Sequence, residues 1–399
     1  MKILIILPYI PTPPTFGGAL RNYHILKHLT QNHDVKVAGF YGSGSPEEFL
    51  EYFPELKDRI YFVNRRWKGK RTRLVQVFSL FTSHSSWYYT GYSNELMSIV
   101  KNLASNENFD IIQAESPVMA RYQPDGFHAL RIMDAHNVEH DNLRRMAEVS
   151  ESRIMGLYYS INYPKIKNEE LFVAEKQDAI FTTSNRDKSL FDKEIPNVKK
   201  FVIPNGVDTD YFKSNIQECE PNALVFTGLM EYAPNADGIL YFLDSIFPRI
   251  QRQIPDIKIY VVGKKPPKAL KDRENSNIVV TGFVEDVRPY IERASVYVVP
   301  LRMGGGTRLK VLEALSMKKP VVTSSIGCEG IDVIHNETAL IKDKPDEFAD
   351  SVVKLVKDKG LRSRLSKAGY EFVKEHFDWR VIGKNIDHAY NSLIKQVRV

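Results

Sequence analysis

The chain has 399 residues, of which 43% are hydrophobic and 26% are charged, and its formal net charge is +6. This composition is typical of a soluble globular protein, and the length predicts two domains. The small positive excess permits anionic ligands but does not indicate a nucleic-acid-binding protein. The two cysteines, Cys219 and Cys328, lie far apart in sequence, which argues against a disulfide framework and favours a reducing compartment.

The apolar N-terminal run, Ile3–Leu7, ends at Pro8 and is too short for the core of a signal peptide. No apolar segment reaches the roughly 20 residues that a membrane-spanning helix needs. We therefore expect a cytoplasmic protein that does not span a membrane.

Short apolar runs rich in β-branched residues alternate with longer amphipathic stretches, a pattern that predicts parallel sheets with crossover helices. In the first half the predicted elements are strands at 2–7, 35–40, 60–63, 110–113, 130–134, 179–183 and 200–203 and a helix at Ala19–Thr30. In the second half they are strands at 223–227, 258–262, 277–281, 295–299, 320–323 and 338–341 and helices at Gly238–Ile254 and Thr307–Met317.

This order predicts an α/β fold with two Rossmann-like lobes facing an interdomain cleft. We expect an N-terminal lobe over residues 1–212, a polar linker at 213–222 and a C-terminal lobe over 223–376. The last segment, 377–399, is expected to form a helix that returns to the N-terminal lobe. Ligands of open α/β sheets bind beyond the carboxyl ends of the strands.

A glycine-rich segment opens the helix predicted at Thr307–Met317. Gly304, Gly305 and Gly306 allow backbone N–H groups to approach an anion closely, and Thr307 is the predicted N-cap of the helix. The helix N-terminus adds partial positive charge at the same place. These features predict a site for a phosphate group.

Three charged residues follow the glycines. Lys310 and Glu313 are three residues apart and share a helix face, whereas Arg308 can act only from the cap or the first turn. Cations for a diphosphate and a carboxylate for hydroxyl groups together predict a nucleotide-sugar site. The alternative is an ordinary surface ion pair between Lys310 and Glu313.

A second glycine pair follows the first predicted strand. Gly17 and Gly18 open the helix that carries Arg21, and they can admit a phosphate or a sugar close to the backbone. The alternative is a simple strand-to-helix turn. Neither G-x-G-x-x-G after this strand nor a Walker A pattern occurs, which argues against a nicotinamide dinucleotide and a P-loop.

His136 lies just after the strand predicted at 130–134, where it can hydrogen-bond a sugar hydroxyl or a leaving phosphate. Two alternatives remain open, a structural histidine and a zinc site. His136, Glu139 and His140 match the H-x-x-E-H pattern, but nothing downstream marks the further ligand that zinc would need.

Asp208-Thr209-Asp210 has the D-x-D form of an element that holds a divalent metal in one class of sugar transferases. It follows the turn signal Asn205-Gly206, so we interpret it as a turn and expect no metal.

Residues 65–73 carry six cations around Trp67, and Trp87, Tyr88, Tyr89 and Tyr92 follow. A solvated basic loop is one interpretation. Peripheral contact with an anionic membrane, on the inner face of the cell membrane, or with a lipid-diphosphate acceptor is the other.

Taken together, these residues resemble the retaining glycosyltransferases of family 4, which have the GT-B fold. The resemblance covers essentially the whole chain and rests on Gly17-Gly18, Asp134–Glu139, Pro204–Asp208, Thr227-Gly228, Gly304–Ala314 and Pro320–Val322. It implies a metal-independent transferase without a cofactor, which moves a sugar from a nucleotide sugar to a glycan, lipid-linked or other hydroxyl acceptor with retention. Surface polysaccharide or glycoconjugate biosynthesis is the implied pathway. A nucleotide-sugar epimerase and a non-catalytic nucleotide-sugar binding protein are the alternatives.

The resemblance also implies roles. Glu313 would bind the ribose hydroxyls of the donor, and Arg308 and Lys310 would take up the charge of its diphosphate. The Gly17-Gly18 loop would face the donor phosphates and the acceptor across the cleft, and His136 would contact the transferred sugar.

The chain departs from the family pattern in two places. The first glutamate of the E-x₇-E arrangement is replaced by Gly305, and the Arg and Lys expected after strand 223–227 are absent. We therefore expect Arg308 and Lys310 to replace the missing cations and the backbone amides of Gly304–Thr307 to hold the sugar. Arg21 and Asn235 are expected to contact the sugar or the acceptor.

Overall fold

The computed structural model describes residues 1–42, 44–65, 70–149, 152–214, 219–304 and 306–397. The chain forms two compact units, one of Met1–Pro204 with Gly383–Val399 and the other of Asn205–Ile382. The division falls before the stretch 213–222, because Val207 already forms a parallel bridge with Asp378 and so belongs to the second unit.

Unit 1 is built on a parallel seven-stranded sheet in the order β3-β2-β1-β4-β5-β6-β7. Its strands are β1 (Lys2–Leu7), β2 (Asp34–Tyr41), β3 (Ile60–Asn64), β4 (Ile111–Ala114), β5 (Leu130–Ala135), β6 (Ala179–Thr182) and β7 (Lys199–Val202). Most of their side chains are buried on both faces, as expected where crossover helices cover a parallel sheet.

The helices of unit 1 are α1 (Gly17–Asn32), α2 (Pro46–Tyr52), α3 (Lys70–Ser79), α4 (Ser86–Thr90), α5 (Asn94–Asn106), α6 (Pro117–Ala120), α7 (Glu139–Val149), α8 (Arg153–Ala174) and α9 (Asn185–Glu194). A 3₁₀ turn covers Pro54–Leu56.

Unit 2 is built on a parallel six-stranded sheet in the order β10-β9-β8-β11-β12-β13. Its strands are β8 (Ala223–Thr227), β9 (Lys258–Val262), β10 (Ile278–Gly282), β11 (Val296–Val299), β12 (Val321–Thr323) and β13 (Leu340–Ile341). Its helices are α10 (Ala233–Tyr241), α11 (Phe247–Gln253), α12 (Lys268–Lys271), α13 (Arg288–Arg293), α14 (Leu309–Ser316), α15 (Pro345–Lys357) and α16 (Lys359–His376). The last helix, α17 (Trp379–Val397), begins in unit 2 and continues into unit 1.

The predicted strands are confirmed to within two residues, and the predicted two-lobe α/β pattern is confirmed as well. The helix predicted at Gly238–Ile254 is wrong in detail. It begins earlier, at Ala233 with Pro234 in its first turn, and a π-helical segment at Phe242–Ile246 separates α10 from α11. Within the described ranges, we find no helix that combines the length and the apolar character needed to cross a membrane.

In each sheet the order in which successive strands are added reverses at one point. In unit 1 this point lies between β1 and β4, and in unit 2 it lies between β8 and β11. The loops that leave two such strands diverge to opposite faces of the sheet, which opens a crevice at their carboxyl ends.

Candidate active site

The glycine loop of unit 2 follows β11 at the switch point of its sheet. Gly304 and Gly306 have φ angles of +113° and +79°, which side-chain-bearing residues rarely adopt. A Cβ atom on Gly304 would lie 3.1 Å from a guanidinium nitrogen of Arg308, so glycine also allows this close approach. Gly305, predicted as part of the site, lies outside the described residues.

The expectation that Thr307 caps the helix is wrong. Helix α14 begins at Leu309, and its N-cap is Arg308, whose side chain makes no capping hydrogen bond. The left-handed turns at Gly304 and Gly306 delay the helix, and Thr307 packs beside Gly330 instead. Arg308 is buried, and its Nε donates to the carbonyl oxygen of Ile326 at 3.2 Å.

Lys310 is not part of a surface ion pair. Its Nζ donates to Asn235 Oδ1 at 2.7 Å and lies 4.3 Å from the centre of the Phe226 ring. Asn235 is itself buried and donates to the carbonyl oxygen of Leu229. Burial lowers the pKa of Lys310 to about 7, although the nearby Glu313 opposes this change. Asn235 therefore holds Lys310 at the end of β8.

Glu313 lies one turn further along α14 and is half-buried. Burial raises the pKa of Glu313 to about 7, and Lys310 acts in the opposite sense. The hydroxyl of buried Tyr297 on β11 is 2.5 Å from Thr227 Oγ1, and burial followed by the charge of Glu313 raises the pKa of Tyr297. A cation and a carboxylate, both partly desolvated, thus lie beside the glycine loop.

In unit 1, α1 begins at Gly17 with no side-chain cap and no acidic residue in its first turn. Its first N–H groups are therefore oriented for an anion or a hydroxyl oxygen. A Cβ atom on Gly18 would lie 2.4 Å from the Tyr9 hydroxyl and 3.5 Å from His136 Nδ1. The second glycine of the pair thus lets the helix start pack against His136.

His136 follows β5, and its side chain is 16% exposed. Its Nε2 lies 3.4 Å from Glu115 Oε2 and 3.9 Å from Asp134 Oδ2. Arg21 is only 1% exposed and donates from Nε and Nη2 to the two oxygens of Asp134, at 2.9 and 2.8 Å. Arg21, predicted to contact the sugar, thus lies in the interior, with Nη1 bonded to the carbonyl oxygen of Pro204.

Sequence reasoning missed Glu115. It follows β4, is almost fully buried, and accepts a hydrogen bond from Gln113 Nε2 at 2.6 Å. Burial and the neighbouring Asp134 raise the pKa of Glu115. The sequence contained one signal that could have identified Glu115. Glu115 and His136 each follow a predicted strand, and the carboxyl ends of neighbouring parallel strands meet at one edge of the sheet.

Two groups bear on metal binding. Glu115, Asp134 and His136 offer ligand atoms within 4.8 Å of one another, but Arg21 already engages both oxygens of Asp134. Asp208 Oδ1 accepts from the N–H groups of Asp210 and Tyr211, so the predicted turn at the D-x-D segment is confirmed.

Residues 221–358 match the family model described as "Glycosyl transferases group 1". These residues include β8, the glycine loop and α14. The chain is a glycosyltransferase with a GT-B fold.

Relatives and solved structures agree with this assignment. A 44.6 kDa protein in the cps region of Klebsiella pneumoniae is 21% identical over 96% of this chain and 98% of its own length. The capsular polysaccharide biosynthesis glycosyltransferase CapM of Staphylococcus aureus is 25% identical over 35% of this chain and 39% of its own length. The structure of Anabaena HepE in complex with UDP and glucose has a TM-score of 0.63 and 14% identity, covering 98% of this chain and all of that one.

Proposed function

We propose that this glycosyltransferase transfers a sugar from a nucleotide sugar to a glycan or lipid-linked acceptor in surface polysaccharide biosynthesis. The main observation is the association of the glycine loop, Arg308 and Lys310 at the switch point of unit 2. The relatives named for a cps region and for capsular polysaccharide support the pathway. The complex of HepE with UDP and glucose supports a nucleotide-sugar donor.

In unit 2, the diphosphate of the donor is held by the backbone of Gly304 and Gly306 and by the charges of Arg308 and Lys310. Glu313 accepts hydrogen bonds from the ribose hydroxyls. As the glycosidic bond opens, charge accumulates on the departing diphosphate, and preorganised donors next to that charge lower the barrier. Asn235 orients Lys310 and does not itself contact the sugar.

In unit 1, we assign His136 to the transferred sugar and the first turn of α1, at Gly17 and Gly18, to phosphate or sugar oxygens. Arg21 has a different role from the predicted one. Because it is buried against Asp134, it supports the base of the site and is not a sugar contact.

The finer mechanism is retention of the anomeric configuration, as in family 4, with attack on the same face within a loose ion pair. We propose that the reaction needs neither a metal ion nor a cofactor, because Arg308 and Lys310 supply positive charge. EDTA should then leave the transfer rate unchanged. A loss that a divalent metal restores would contradict this proposal and direct attention to Glu115, Asp134 and His136.

We also propose peripheral contact with an anionic membrane next to the basic segment 65–73, of which 66–69 lie outside the described residues. Helix α3 begins within this segment, at Lys70, and four apolar side chains at helical spacing are exposed on it and just beyond it: Leu74, Val77, Phe78 and Phe81. An apolar stripe next to a basic run suits an interface with anionic lipids.

Vesicle flotation tests this contact. The protein should float with phosphatidylglycerol vesicles and not with phosphatidylcholine vesicles, and the double variant L74S/F81S should lose this binding. Phe283, an equally exposed apolar residue in unit 2, provides the control, F283S. Binding that survives L74S/F81S would contradict the proposal.

A nucleotide-sugar panel tests the main proposal. A donor that binds only the folded state adds about 2.7 kcal/mol of stability at a hundredfold excess over Kd, so thermal shift should identify the base and the sugar. Transfer from the labelled donor then separates the activities, since an epimerase needs no acceptor and a binding protein neither transfers nor hydrolyses the donor. Epimerisation without acceptor would overturn the proposal.

A further inference from the structure

We propose that Glu115 is a positioning residue that sets the tautomer of His136, so that Nε2 carries the proton and Nδ1 is presented next to Gly18. The inference deepens the proposed function, on which its consequence for turnover rests. The geometric part stands on unit 1 alone.

A chain of hydrogen bonds fixes the orientation of Glu115. The Tyr390 hydroxyl on α17 donates to Gln113 Oε1 at 2.5 Å, which directs Gln113 Nε2 towards Glu115 Oε1 at 2.6 Å. The other carboxylate oxygen, Oε2, is then left facing His136 Nε2. Because the side chains of Tyr390, Gln113 and Glu115 are all buried, solvent does not compete for these hydrogen bonds.

The partner of one ring nitrogen determines which nitrogen carries the proton. A carboxylate accepts hydrogen bonds, so Glu115 favours the proton on Nε2. The opposite nitrogen, Nδ1, lies beside Gly18, where a Cβ atom would be 3.5 Å from it. In this tautomer Nδ1 is an acceptor at the start of α1, suited to the hydroxyl of a sugar.

Asp134 cannot have this role. Both of its oxygens accept from Arg21, and its nearest oxygen is 3.9 Å from His136 Nε2. Further titratable groups are linked to the pair: Tyr9 before α1 and Tyr390 on α17 each interact with Glu115, and Glu139 at the start of α7 interacts with Tyr9. Their phenol and carboxyl groups would respond to the same substitutions, so the decisive measurement reports on the ring of His136 itself.

The test is the nitrogen chemical shifts of His136 in full-length protein labelled on histidine, assigned with H136N. The wild type should show a protonated Nε2 and an unprotonated Nδ1. In E115Q, Gln113 Nε2 still donates a hydrogen bond, and the only acceptor oxygen of the new amide will bind it. The N–H₂ group of that amide then faces His136 Nε2. Two donors cannot bond to each other, so the proton of His136 should move to Nδ1. Y390F, which releases Gln113 but leaves the carboxylate, should shift the equilibrium only partly.

D387N is the matched control. Asp387 contacts Nε2 of His28 at 3.0 Å and of His33 at 2.8 Å, so its substitution should change those rings and leave His136 unchanged. A wild-type His136 protonated on Nδ1, or a tautomer that is the same in E115Q, would overturn the proposal. This measurement needs no substrate.

Kinetics separate positioning from the reaction. A misplaced ring should reduce kcat by about 100-fold in E115Q while the KM for the donor changes less than about twofold. If the tautomer moves and kcat does not, positioning by Glu115 stands and the assignment of His136 to the reaction fails. If the tautomer does not move, positioning fails whatever the rates.

Discussion

The two candidate sites occupy the same place in their sheets but differ in the charge of the side chains next to the strand ends. In unit 1, the crevice beyond β1, β4 and β5 collects Glu115, Asp134 and His136, with Arg21 behind them. In unit 2, the crevice beyond β8 and β11 collects glycines and cations. The fold thus determines where a ligand can bind, and the residues after each strand determine which charge it can carry.

Burial acts on both sites in the same direction. It raises the pKa of Glu115 and Glu313 and lowers that of Lys310, because desolvation disfavours the charged form of each group. The two sites differ in the partners that compensate for the desolvation of their charged groups. Asp134 has a cation within hydrogen-bonding distance, whereas Lys310 is held by the neutral amide of Asn235, which leaves its charge available to an anionic ligand.

The largest expected effect is on stability and separates a structural cation from a ligand-binding one. R21A should reduce the free energy of unfolding of unit 1 by about 3–5 kcal/mol, because it leaves the buried carboxylate of Asp134 without its partner. Urea unfolding measures this. R59A, which breaks the exposed pair with Asp34, should cost no more than about 1 kcal/mol. Equal effects would contradict the distinction.

Lys310 should behave in the opposite way. K310M should reduce turnover by about 10²–10³-fold, as expected for one lost donor to developing charge, while stability is preserved or improved. K265M removes an exposed lysine that pairs with Glu231 and should leave turnover unchanged. A rate for K310M within twofold of the wild type would remove Lys310 from the phosphate site.

His136 tests the chemistry assigned to unit 1. H136N should reduce kcat by about 10²-fold, because an oriented partner of the transferred sugar is lost. Binding of the nucleotide diphosphate should hardly change, since its contacts lie in unit 2. The exposed His128 gives the control, H128N. A large loss of nucleotide affinity in H136N, measured by calorimetry, would show that the division of roles is wrong.

Glu313 should affect nucleotide binding more than turnover. Replacing a charged acceptor with an amide in E313Q should weaken binding of the nucleotide diphosphate by about 10-fold to 100-fold. A 2′,3′-dideoxy nucleotide, which lacks the ribose hydroxyls, should bind wild type and E313Q equally. Unchanged affinity for the normal nucleotide in E313Q would contradict the ribose assignment.

The smallest effect is a pH dependence of donor affinity with an optimum near pH 7. Below this pH the carboxylate of Glu313 becomes protonated and is no longer a charged acceptor for the ribose hydroxyls. Above it Lys310 loses its proton and its positive charge. Each limb should change affinity by at most about tenfold per pH unit. Calorimetry with a nucleotide sugar should show that K310R lacks the alkaline limb and E313Q the acidic one. A flat wild-type profile would contradict both pKa shifts.

Much of the fold could be predicted because it depends on local patterns. Buried parallel strands appear in the sequence as short runs of β-branched residues, so β1 to β13 could be predicted. The glycines of 304–306 indicated a phosphate site by their residue type and spacing. The failures came where neighbours in space outweigh local preference. Thr307 has the side chain of an N-cap, but the left-handed turns at Gly304 and Gly306 start the helix two residues later.

By itself the sequence determined the alternation of strands and helices and the residue types after each strand, since these follow from side-chain chemistry along the chain. Only the tertiary structure decided which of these residues meet. Glu115 reaches His136 because β4 and β5 are neighbours in the sheet, and Tyr390 reaches Gln113 across 277 residues because α17 packs on unit 1. The same packing desolvates Lys310 and Glu313, and no local pattern encodes the resulting pKa shifts.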